Sequence, residues 1–257
     1  MSLVIMNDEV SLDDVLARPD VWRGSRSAGG SANGFAHAKI PSVPSGFAAL
    51  DAELPGGGWP RGALTEILLD GTGLGECSLL LPALLQIQQE GRWGMLVAPP
   101  HRAHGPAWVS AGVDLAQLAI VSSAQPRDVL WATEQALSNA ALGVVLCWAT
   151  SVDARQLRRL QVAAAGGNSV MFLFRPLRAA QSSSAAPLRL LLSSGERGSL
   201  GLKVLKRRGA PCSRTLTLDV PRTKHWRDPH EFEREALVAR PPSALPAARS
   251  EPSPVLA

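Results

Sequence analysis

The chain has no tyrosine, only three cysteines, and no lysine between Lys39 and Lys203. Cys77, Cys147 and Cys212 are far apart, with no CxxC pair and no Cys/His cluster at metal-ligand spacing. Neither a disulfide framework nor a metal site is expected, and the thiols read as reduced cytosolic groups. Long apolar runs are missing too. Segments 78–85 and 143–148 are among the longest, far short of the roughly 20 residues that span a bilayer. Residues 1–19 carry four acidic side chains and no apolar h-region, which is unlike a secretory leader. A cytoplasmic protein without membrane contact is the expectation. What is present is 257 residues, 46% of them hydrophobic, with a net charge of +4. That suffices for one α/β domain with a real core and modest extensions. The mild positive charge permits nucleic-acid contact without requiring it.

Along the chain, residues 10–23 read as a helix with Leu12, Leu16 and Trp22 on its apolar side, followed by a Gly/Ser-rich linker at 24–33. Leu12, Leu16 and Trp22 are candidates for a partner-binding or self-association arm. From Val43 the pattern becomes dense. A helical turn at 46–54 and a tight loop at 55–62 precede a buried strand at 63–69. The glycine-rich stretch 70–76 and a helix at 77–90 follow. Strands at 93–97, 118–121, 143–147 and 169–174 alternate with helices at 107–111, 127–139 and 153–165, which implies a mostly parallel sheet covered on both faces. Segments 188–193, 201–206 and 214–220 read as an antiparallel extension of that sheet. From Pro221 the chain is rich in Pro, Arg and Glu. The expected organisation is an arm and linker over 1–42, a core over 43–220 and a tail over 221–257.

The run SGFAALDAELPGGGWPRGALTEIL at 45–68, AGVDLAQLAIVSSAQP at 111–126 and KVLKRRGAP at 203–211 resemble the RecA-like core. The resemblance implies a three-layer α/β fold with a mostly parallel central sheet, helices on both faces and an antiparallel C-terminal extension. DVWRG at 20–24 and LPGGGWPRGALTE at 54–66, with the missing ATPase residues, resemble more narrowly the ImuA family of SulA-like, translesion-associated proteins. That resemblance implies a non-catalytic adaptor in the DNA-damage response. Its expected partners are RecA, an ImuB-like polymerase homologue and, indirectly, an error-prone DNA polymerase III alpha subunit. A SulA-like division inhibitor binding FtsZ, and a divergent NTPase, are the alternatives.

A working phosphate loop reads GxxxxGK[ST] between a strand and a helix. Its amides cradle phosphate, its lysine reaches the outer phosphates and its hydroxyl holds magnesium. Aligned on Gly75, the first glycine position holds Asp70, the lysine position Glu76 and the hydroxyl position Cys77, with Gly71 and Gly73 between. Reversing one charge about 4 Å from a polyanion changes the interaction by roughly 4 kcal/mol per unit charge. In RecA-like register the glutamate that activates water falls at Pro100, and the strand that should end in a magnesium-organising aspartate ends in Cys147 and Trp148. No nucleotide binding, no cofactor, no metal and no catalysis are expected. Arg155, Arg158 and Arg159 on one helix, Arg175 and Arg178 around the following loop, and Lys203, Lys206, Arg207 and Arg208 on the hairpin form a candidate DNA or partner face. Without interleaved stacking aromatics, any DNA contact there should be weak and salt-sensitive.

Overall fold

The computed structural model describes residues 40–195, 198–212 and 214–220. The expected arm with Leu12, Leu16 and Trp22, its linker and the tail from Pro221 lie outside them. The chain divides into two units, Met1–Thr223 and Lys224–Ala257; all described residues belong to the first.

Strands β1 (Ser42–Val43) and β2 (Trp59–Pro60) form a two-stranded antiparallel ribbon. The main sheet contains β3 (Ala63–Leu69), β4 (Trp93–Val97), β5 (Leu118–Val121), β6 (Leu142–Trp148), β7 (Val170–Pro176), β8 (Leu188–Ser194), β9 (Leu200–Lys206) and β10 (Thr215–Leu218). Their order is β10-β9-β8-β3-β7-β6-β4-β5. The six strands from β8 to β5 are parallel, and β9 and β10 are antiparallel additions. The helices are α1 (Ala48–Asp51), α2 (Glu76–Gln89), α3 (Gly105–Ser110), α4 (Pro126–Leu137) and α5 (Ala154–Ala165).

Alternation along each strand builds two cores, because successive side chains leave opposite faces of the sheet. On β7, Val170, Phe172 and Phe174 pack on one side with Leu79, Leu80, Ala83, Leu84 and Ile87 of α2. Met171 and Leu173 pack on the other with Val129 and Leu130 of α4 and Leu157 and Leu160 of α5. Every one of these positions is apolar because both faces are covered, so the strand shows no polar alternation. Trp59 closes one core edge-on against Phe172, with centroids 5.0 Å apart at 89°. Such an aromatic pair adds about 0.5–1.5 kcal/mol beyond its buried area.

Two expectations need correction. The loop at 55–62 contains β2, and its Gly56 and Gly58 serve close packing. A Cβ on Gly58 would lie 2.4 Å from the Val43 carbonyl oxygen, and one on Gly56 would lie 2.8 Å from that of Ile40. The segment at 188–193 is parallel to β3, so the antiparallel extension starts only at β9. The chain reaches β8 through a short 3-10 turn, Leu177–Gln181, and not through a helix. A crossover this short resembles a hairpin connection in sequence, which hides the strand's direction.

Candidate functional site

Strand β3 delivers the chain into the glycine loop at the carboxyl end of the parallel strands, where open α/β sheets bind ligands. Gly71, Gly73 and Gly75 have φ of 124°, 81° and 108°, values that a side chain would strain. Glu76 opens α2 and is only 4% exposed. Its carboxylate folds back into the loop. Oε1 accepts the Gly73 amide at 3.0 Å, and Oε2 accepts the Gly75 amide at 3.1 Å. Hydrogen bonds to a charged acceptor contribute about 1.5–3 kcal/mol each, and a negative group at the start of α2 also suits the helix dipole. The sequence suggested only that Glu76 repels a triphosphate. The geometry adds that Glu76 takes two of the loop's own anion-binding donors. Outside it, Thr72 Oγ1 meets His101 Nε2 at 3.0 Å, tying the 98–104 segment to the loop.

The neighbouring positions are electrically silent. Burial, then the negative charge of Glu76, pushes the Cys77 thiol up to about 12. Burial pushes Cys147 up to about 11, against a lowering hydrogen bond with Thr133. Neither gives a thiolate near neutral pH, and sulfur is too soft a donor to replace the oxygen ligands of magnesium. Trp148, next along β6, stacks on Phe174 with centroids 4.5 Å apart. Pro100 is exposed. The cleft beyond the ends of β4, β5 and β6, lined in part by Ala98, Ser123 and Trp148, measures about 120 Å³. Small-molecule sites usually need at least about 300 Å³. Among the described residues, no group of three or more His, Cys, Asp or Glu converges as a metal site. Ala98, at the end of β4, has φ of 51°, the one non-glycine residue with positive φ among those described.

Sequence reasoning missed a buried ion cluster beneath the loop. Glu66 on β3 is fully buried and accepts Arg175 Nη1 and Arg189 Nε, each at 2.5 Å. Arg175 also donates to the Val152 carbonyl at 2.8 Å, and Arg189 to that of Ala179 at 2.9 Å. The cluster therefore ties β3, β7 and β8 to the two connections above them. The available signal was charge inside otherwise apolar strands: ALTEILL, VMFLFRP and LRLLLSS each carry one charged residue.

The nine basic candidates do not share one environment. Arg175 is interior, committed to Glu66 and unavailable to DNA or a partner. Arg207 donates to the Glu53 carboxylate at 2.8 Å and to its backbone carbonyl. Burial works against ionisation of Glu53, but the Cys212 thiol, Arg207 and Arg214 together hold its carboxyl below the usual range. Lys206 donates to the Ser184 carbonyl at 2.9 Å. Arg178 reaches the Thr150 carbonyl at 3.4 Å. Lys203 and Arg208 are exposed. Arg155, Arg158 and Arg159 are exposed on α5, which opens with a capping box between Asp153 and Gln156. Among the described residues only Arg159 of these three is paired, with Glu134 of α4 at 2.6 Å.

These features define an α/β protein with a mostly parallel sheet and a glycine loop closed by its own carboxylate. The family model "Cell division inhibitor SulA" matches residues 62–171. A protein of that name from Klebsiella pneumoniae (strain 342) is 31% identical over 146 residues, covering 56% of this chain and 86% of the relative. Those from Edwardsiella piscicida and Salmonella heidelberg (strain SL476) are 33% identical over 112 residues and 35% over 103. The alignments cover 43% and 39% of this chain, and 66% and 60% of those two relatives, short of two thirds. The chain belongs to the SulA family. This overturns the translesion adaptor reading, and with it RecA, the ImuB-like homologue and the polymerase III alpha subunit as partners. That reading rested on the DVWRG segment at 20–24, on the glycine run at 54–66 and on missing ATPase residues. The last two are features of a scaffold and carry no information about the partner, and the first lies outside the described residues. Among the described residues, no helix is long and apolar enough to cross a membrane.

Proposed function

We propose that this chain is an inhibitor of cell division that binds the polymerising protein FtsZ in the cytoplasm and blocks its assembly. It does so without catalysis, on a RecA-like core that no longer handles nucleotide. Membership of the SulA family and the names of its relatives support the division-inhibitor reading. The strand order, with β3 and its glycine loop inside the mostly parallel sheet between β8 and β7, supports the RecA-like reading. The observation that carries the non-enzymatic part is the Glu76 carboxylate seated on the Gly73 and Gly75 amides. A loop already holding an anion of its own has two fewer donors for phosphate, and Cys77 and Cys147 offer magnesium sulfur in place of oxygen. The core then serves by presenting surface.

The test is sedimentation of purified FtsZ with GTP and increasing amounts of the full chain. Pelleted polymer should fall as the chain approaches equimolar amounts, and added ATP should not alter the effect. Unchanged polymer with the chain in excess would refute the reading. Inhibition that requires ATP would refute its non-enzymatic part.

A further inference from the structure

The face formed by α4 and α5 holds apolar and charged groups that the closed loop does not use. Both helices follow parallel strands, so they run side by side in the same direction. Residues spaced three, four and seven apart share one side of a helix. Trp131, Glu134 and Ser138 therefore line one stripe of α4, and Arg155, Arg159 and Val162 one stripe of α5. Between the stripes lies a groove of about 510 Å³, walled by Glu134 and Ser138 on one side and by Arg155, Arg158 and Val162 on the other. The Glu134–Arg159 pair fixes the register across it. Trp131, one turn before Glu134, therefore stands level with the Arg155 turn.

Two observations single this face out. Val162 is 66% exposed and Trp131 62%, the two most exposed large apolar side chains among the described residues. Arg155 and Arg158 are exposed and have no ion-pair or hydrogen-bond partner among the described residues. Trp and Arg dominate the energetics of protein interfaces. The groove is about two helical turns long, roughly 10 Å, which is the scale of helix-in-groove recognition. A second copy of this face would oppose arginine to arginine. A nucleic-acid strand would gain nothing from Val162, which is 66% exposed in the wall. An acidic helix with an apolar anchor satisfies both kinds of group at once.

We propose that the α4–α5 groove docks an acidic amphipathic helix of a protein partner. The partner's carboxylates meet Arg155 and Arg158, and its apolar side chain seats on Val162. This is a docking site in addition to whatever surface engages FtsZ, and it stands or falls separately. The probe is a fluorescent helical peptide with glutamates four residues apart around one leucine, titrated by anisotropy against the full chain. Comparison arms replace the glutamates by glutamine or the leucine by serine, and a last arm uses single-stranded oligothymidine. The expected result is saturable binding of the acidic peptide, weakened about tenfold or more by R155E/R158E, by V162D and by either peptide change. The milder V162S should weaken it less, and circular dichroism should show all variants folded. Absence of saturable binding, binding that the arginine reversals leave unchanged, or tighter binding of oligothymidine would each overturn the proposal.

Discussion

The glycine loop and the α4–α5 face contrast in one respect, the satisfaction of their polar groups. At the loop, amides that could hold a foreign anion are held by Glu76 of the same chain. On the helical face, Arg155 and Arg158 have no partner among the described residues, and large apolar groups are exposed beside them. Internal satisfaction occupies the donors of one surface, while those of the other stay free among the described residues.

The contrast can be broken hardest from below the loop. Glu66 anchors two buried arginines, and removing one member of such a cluster leaves uncompensated charge, at about 3–5 kcal/mol. Glu66→Ala should lose stability on that scale in urea denaturation. A loss below about 1 kcal/mol would mean that water reaches the arginines. Alkaline pH comes next. Cys77 and Cys147 ordinarily ionise near 9 but are held up to about 12 and about 11. Above pH 9 the unfolded chain gives up these protons and the folded chain keeps them, so the unfolded state gains. Stability should be intact below pH 9 and fall between 9 and 11, by on the order of 2–3 kcal/mol for Cys147 alone. A flat denaturation midpoint over that range would contradict the burial of these thiols.

Glu76→Ala should cost about 1–3 kcal/mol by orphaning two loop amides, and hydrogen exchange at Gly73 and Gly75 should accelerate. Glu76→Lys should not create ATPase activity, because Pro100, Cys77 and Cys147 remain; measurable turnover would contradict this. The smallest effect belongs to the open face. Arg158→Glu should change stability by no more than about 0.5 kcal/mol, and a larger loss would show that this arginine is structural.

Much of the frame was legible before any coordinates. The strand at 63–69 and the strand at 118–121 fall where apolar runs bounded by glycine or polar residues placed them. The helix read at 77–90 occupies Glu76–Gln89. The parallel direction of β8 was not legible, because hydrophobic pattern records burial and not strand polarity. The degenerate loop was visible as a list of wrong residues. Its closure was not, because a carboxylate that repels phosphate and one that replaces it are the same letter in sequence. Arg175 looked like surface charge for a related reason. Its partner Glu66 lies 109 positions away, and only the pairing of β3 with β7 brings them together.

The most direct measurement follows the Gly73 and Gly75 amide resonances of the full chain during titration with ATP and magnesium. With Glu76 seated on both amides, neither should shift saturably and no dissociation constant should be definable. Saturable shifts at micromolar ATP, with those amides donating to phosphate, would show the loop to be open and the chain to be a nucleotide-binding protein.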